Sequence, residues 1–151
     1  MQHIVCKIIP HLEQRYDTVG DYWEDPDGTT QFRVSDMGDM RYNISVFVHE
    51  LIEYALLLNR GVAEPEVLAF DLAVPKDSPY ADDPGFDPKA PYHKEHVFSD
   101  TIERLLAQQW GVNWGEFNKA MENLPDWSEH HEEESDTGES PQNDQTAAET
   151  T

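Results

Sequence analysis

His49, Glu50 and Glu53 are the residues of this chain whose types and spacing could do chemistry. They lie in residues 44–58, where every other side chain except Ser45 is apolar. At about 100° per residue in a helix, His49 and Glu53 stack one turn apart, and Glu50 sits roughly a quarter-turn away. A helix apolar all round is expected to be buried. Buried His and Glu side chains must be paired, protonated or bound to a metal. A histidine and a carboxylate one turn apart suit two ligands of zinc or another divalent ion. A catalytic zinc takes three protein ligands and a water, and His96 is assigned as the third. Such a donor set lowers the pKa of the water toward roughly 7. Glu50, next to a ligand in sequence, is placed to take the proton as general base. The competing reading is a buried hydrogen-bonded network completed by Arg41, Arg60 or Arg104.

The rest of the chain must bring His96 to that helix. Residues 2–9 are β-branched and stop at Pro10, and residues 14–23 read as a second strand, with Gly20 a bulge or a close backbone approach. Pro26-Asp27-Gly28 is a turn signal. Residues 29–35 alternate polar and apolar, as a half-buried strand does. Asp39 is a candidate N-cap for a helix over residues 40–59, and Gly61 suits its left-handed cap. A short helix is expected over residues 64–72, then a proline-rich loop over 74–91. A third helix starts near Pro91, and a last one spans residues 114–124.

On the third helix, Phe98, Ile102, Leu105 and Leu106 mark the expected buried face. Glu95 projects near the middle of that face, His96 lies at its border, and His93 turns toward solvent. Glu95 and His93 are alternative ligands. Asp100, one turn after His96, and Asp71 are carboxylates that could orient the ligands from behind. The expected fold is α+β: a small antiparallel sheet of about three strands packed on a long central helix, with two to three further helices. Residues 29–35 could also offer a sheet edge to a peptide.

Three segments carry a resemblance: Arg15-Tyr16-Asp17-Thr18-Val19-Gly20-Asp21-Tyr22-Trp23; residues 33–39 running on to Val48-His49-Glu50-Leu51-Ile52-Glu53; and Ala90-Pro91-Tyr92-His93-Lys94-Glu95-His96 running on to residues 102–106. In this order, over roughly residues 10–120, they resemble a family of small uncharacterised phage and bacterial proteins. The resemblance implies a shared fold and no established activity. It also implies a cytoplasmic setting, the bacterial host cytoplasm for a phage-encoded chain. More distantly, His49-Glu50 in strand–helix–helix order resembles the zincin metallopeptidases, with Glu53 standing where a second His is usual.

Composition narrows the function classes. The formal charge is −21, which repels phosphate backbones and anionic lipid. The expected partner is therefore a peptide or a basic protein, with no nucleic acid and no membrane. No apolar run reaches the roughly 18 residues of a membrane span, and the first residues lack the pattern of a secretory signal. The single cysteine, Cys6, fits a reducing compartment and is expected to be a buried structural thiol. Residues 1–124 read as one domain. Residues 125–151 read as a disordered acidic tail, in which His130-His131 before three Glu is a solvated run. The Asp and Pro cluster at residues 82–88 lacks calcium-loop spacing.

Two functions compete on these grounds. One is a metal-dependent hydrolase of minimal zincin type acting on peptides. The other is a non-catalytic phage accessory or interaction protein with a vestigial or structural metal site. A helical nucleotide pyrophosphatase would need a second carboxylate pair at matching spacing, and Glu95 with Asp100 does not supply one.

Overall fold

A computed structural model of the chain describes residues 3–128. Three strands come first: β1 (His3–Ile9), β2 (Gly20–Glu24) and β3 (Thr29–Ser35). Four helices follow: α1 (Met40–Arg60), α2 (Glu64–Ala73), α3 (His93–Gln109) and α4 (Trp114–Glu122). Short 3-10 turns occupy His11–Glu13 and Pro84–Phe86. The α+β class is as expected, but the sheet is mixed rather than antiparallel. Its order is β1-β3-β2, with β2 antiparallel and β1 parallel to β3.

The reason lies in residues 10–19, which do not extend β2 backward as the sequence suggests. They carry the chain from the end of β1 past the C-terminal end of β3, so β2 starts on the far side. Buried side chains hold this crossing. His11 Nδ1 is 2.8 Å from Ser35 Oγ, and Gln14 Nε2 donates to Val19 O and to Ser35 Oγ. β3 is therefore the central strand, and the expectation that residues 29–35 form an edge is overturned.

α1 starts and stops for the expected reasons. The Asp39 carboxylate accepts from Arg41 N, and Gly61 adopts φ 71° at the C-cap. Phe47 and Tyr54 on α1 stack edge-on against Phe32 of β3, and Tyr54 also meets Tyr22 of β2. These rings join Leu57, Val67 and Tyr92 in the main core. A smaller core, Val34, Val46 and Phe117, fastens α4 to the sheet and α1. Burying each such side chain stabilises by about 1.5–3 kcal/mol.

Two burial expectations fail. α1 is not buried all round: Ile44, Ala55 and Leu58 face outward. Cys6 is exposed, because among the described residues α1 packs chiefly on β3 and β2 rather than on β1. Beyond α4, Trp127 Nε1 donates to Gln14 O, which ties residue 127 to the domain. The remainder of the expected tail, with His130 and His131, lies outside the described residues. No helix among the described residues is long and apolar enough to cross a membrane.

Candidate metal centre

α1 and α3 meet through their polar faces. α1 contributes Ser45, His49 and Glu53, and α3 contributes Glu95, His96, Ser99 and Glu103; all are buried. The fully buried Ser99 and nearly buried Ser45 are small, so the helices can approach closely. The expected apolar face of α3 divides: Phe98 and Leu105 are about half exposed, while Ile102 and Leu106 are half-buried and Glu95 is buried. The ionisable residues win the interior because they pair across the seam, His49 with Glu103 and His96, Glu53 with His96, and Arg60 with Glu95.

Three donor atoms converge there. His49 Nε2 lies 3.1 Å from His96 Nδ1 and 3.6 Å from Glu53 Oε2, and His96 Nδ1 lies 3.0 Å from Glu53 Oε2. With zinc–donor bonds of about 2.0–2.1 Å, the edges of a coordination tetrahedron come to about 3.3 Å. The triangle is thus the size of one face of such a tetrahedron. His49, Glu53 and His96 are the group among the described residues that could hold a metal ion.

The far side of each ring is also engaged. His49 Nδ1 is 3.1 Å from Glu103 Oε2. With that nitrogen protonated, the Nε2 lone pair is left for the triangle. His96 Nε2 faces Asp83 Oδ1 at 3.0 Å, off the line of a hydrogen bond, and has no other polar partner. The His96 ring itself is clamped. A Cβ on Gly85 would come within 2.2 Å of its Cγ, so only glycine fits, and Phe86 stacks edge-on against it. The turn Pro84–Phe86 is therefore a cover over His96.

The charges are coupled. Burial works against charging His49, but the nearby carboxylates of Glu103 and Glu53 outweigh this and push its pKa up to about 11. Burial likewise opposes charge on His96, and the carboxylates of Asp83 and Glu53 raise it to about 9. Burial would raise Glu53, yet the two histidines hold it below the usual carboxylate range. Burial, reinforced by the Glu53 charge, pushes Glu50 up to about 8. The Glu50 carboxylate lies against the start of β2, where a Cβ on Gly20 would come within 2.3 Å of Oε1. This is the close backbone approach expected at Gly20.

The remaining sequence candidates stand apart from the triangle. Glu95 pairs with Arg60 at 2.6 Å. Asp100 pairs with Arg104 and does not orient His96. His93 is half-buried rather than solvent-facing, its Nδ1 2.9 Å from Gly85 O. Asp71 accepts from the hydroxyls of Tyr16 and Tyr92. Of the arginines proposed to complete a buried network, Arg41 pairs with Asp39, and Arg60 and Arg104 are engaged as above. The sequence reading missed Glu103 and Asp83. Glu103 carried a signal, being seven residues after His96 and so on the same helix face. Asp83 carried none, since its role depends on how the loop folds back. No family model, curated protein or solved structure matches the chain significantly.

Proposed function

We propose that the protein is a metal-dependent hydrolase in which His49, Glu53 and His96 hold a divalent ion, zinc by donor type, and Glu50 acts as general base. The observation that carries this is the triangle of donor atoms with a carboxylate behind each imidazole. One carboxylate and two neutral imidazoles suit zinc better than calcium or magnesium, which prefer oxygen. The ion would supply Lewis-acid activation of a water. Glu50, adjacent to His49, would accept the proton. Its raised pKa lets it hold a proton near neutrality and give it back to a leaving group. A peptide substrate rests on the likeness of the helix to zinc peptidases alone. The strand that would present it is not β3.

A second reading is a structural metal site or buried polar network in a non-catalytic interaction protein. It is favoured by the burial of all three donors and by the cover that Gly85 and Phe86 form over His96. Elemental analysis of the untagged chain separates the readings in two steps. Stoichiometric metal that is lost in His49→Ala and Glu53→Ala supports the centre, and its absence from the native chain sinks it. Peptide hydrolysis by the native chain that disappears in Glu50→Gln, with metal content unchanged, supports catalysis. Equal hydrolysis in both would remove Glu50 from the chemistry.

A further inference from the structure

Tyr22 carries a buried hydroxyl with no acceptor. The residue is 5% exposed, and its oxygen has no hydrogen-bond partner among the described residues. An unpaired buried donor works against folding, so one that persists in a folded chain needs a reason. Tyr16 and Tyr92 show the ordinary solution, since both donate to Asp71.

β2 directs Tyr22 toward the turns of α1 that carry Glu50 and Glu53. Gly20, two residues earlier and so on the same face of the strand, lies against Glu50. The Tyr22 ring meets that of Tyr54 edge-on at 5.5 Å. Ionisation of Tyr22 is opposed first by burial, then by the carboxylates of Glu53 and Glu50, with Glu64 and Asp71 behind them. Glu64 is taken by Arg15 and Asp71 by the other two tyrosines. The carboxylates left to Tyr22 are those of the candidate metal centre.

Glu50 is the complementary case. It is half-buried, and no hydrogen-bond donor reaches it among the described residues. One group is a donor without an acceptor and the other a carboxylate without a donor, and they do not bond each other. A single oxygen between them satisfies both. A water there accepts from Tyr22, donates to Glu50 and keeps a lone pair for an ion on His49, Glu53 and His96. The other sides of the donor triangle are taken, by Glu103 behind His49 and by the Gly85–Phe86 turn over His96.

We propose that Tyr22 is a binding residue of the metal centre, its hydroxyl donating to the oxygen ligand in the ion's open position, whether a water or a small carboxylate. This rests on His49, Glu53 and His96 holding an ion, and it does not require the centre to be a hydrolase. The hydroxyl selects ligands that present an acceptor oxygen. It is the contribution of β2 to a site otherwise built from α1 and α3. The ligand satisfies the hydroxyl that the fold leaves unpaired.

The test loads the full native chain, Tyr22→Phe and Tyr54→Phe with cobalt(II), whose visible absorption reports its ligands, and titrates each with acetate. Tyr22→Phe keeps the ring and should bind cobalt in the native ratio, with acetate about 10–100-fold weaker, the loss of one hydrogen bond to a charged group. Without metal it should unfold at the same urea concentration as the native chain or a higher one, since it loses a hydroxyl that had no partner. Tyr54→Phe removes a hydroxyl 3.3 Å from Thr30 Oγ1 and should leave acetate affinity unchanged. Equal acetate affinity in the native chain and Tyr22→Phe overturns the proposal and leaves the metal centre standing. So does acetate that never reaches the cobalt of the native chain. A metal-free Tyr22→Phe that unfolds earlier, or does not fold, also overturns it, because the hydroxyl then has a partner within the protein. A native chain that binds no cobalt removes the centre and this proposal together. Weakened acetate binding without peptide hydrolysis keeps Tyr22 in the site and removes only the hydrolase.

Discussion

Glu103 on α3 reaches across the helix seam to His49 Nδ1, 3.1 Å from its Oε2, and so leaves Nε2 to face Glu53 and His96. A carboxylate in this position fixes the ring and raises its basicity as a ligand. Glu103→Ala should therefore lower zinc affinity by about 10–100-fold, read by competition with a chromophoric chelator. Glu103→Gln, which can still accept through its amide oxygen, should fall between the two. Equal affinity in native chain and Glu103→Ala would take Glu103 out of the site.

Gly85 is tested by contrast with Gly61. A Cβ at residue 85 collides with the His96 ring, so Gly85→Ala must move either the ring or the turn above it. We expect loss of stoichiometric metal and a stability cost of roughly 1–3 kcal/mol. At Gly61 the constraint is the backbone alone, φ 71° with open space around it. Gly61→Ala should cost about 1 kcal/mol and leave metal content intact. Elemental analysis and urea unfolding of both variants check this. The same effect on metal in both would show that the Gly85 contact is not specific.

The metal-free chain should lose stability as pH rises above about 5. Glu50 is raised to about 8 from an ordinary value near 4.5, and His49 to about 11 and His96 to about 9 from near 6.5. Groups raised on folding contribute stability that is fully present below the unfolded value and is lost as pH rises through the folded one. Glu53 has the opposite sign, contributing above its unfolded value and less as pH falls through its lowered one. Maximum stability in chelator should thus fall near pH 5–6, with a decline of at least about 1 kcal/mol by pH 8.5. Added zinc should reverse the alkaline decline, because ligands bind metal only when deprotonated. A flat profile in chelator from pH 5 to 9 would contradict the charge assignments.

Asp71 should behave as a structural residue. Its carboxylate accepts from Tyr16 and Tyr92, and it does not touch the donor triangle. Asp71→Ala leaves two hydroxyls without their acceptor and should destabilise by roughly 2–4 kcal/mol. Metal content per folded chain should be unchanged. Loss of metal without loss of stability would place Asp71 in the site instead.

Much of the centre was legible because its first half is local. His49, Glu50 and Glu53 share one helix, and 3.6 residues per turn sets their relation before any packing is known. His96 was reachable because a long loop and a returning helix could bring it back. What misled was equating apolar with buried. On α3 Phe98 and Leu105 are outside, because Glu95, His96 and Glu103 had partners waiting on α1 and could be satisfied inside. The parallel pairing of β1 was hidden for a different reason. Strand periodicity shows which face a residue takes and not which neighbour it pairs with, and residues 10–19 decide that by passing the C-terminal end of β3. Asp83 depended on the fold of a loop whose composition specifies only that it turns.

The donor triangle also bears on how the chain holds itself closed. Glu53 and His96 are 43 residues apart in sequence, with α2 and the whole proline-rich loop between them. An ion held by both is a cross-link that closes that segment into a ring. By loop-closure entropy, such a tie restricts the unfolded chain by about 4 kcal/mol. The chain has one cysteine and no internal disulfide. Coordination would then serve it as a removable staple, and protease cuts within residues 74–91 would report whether the staple is in place.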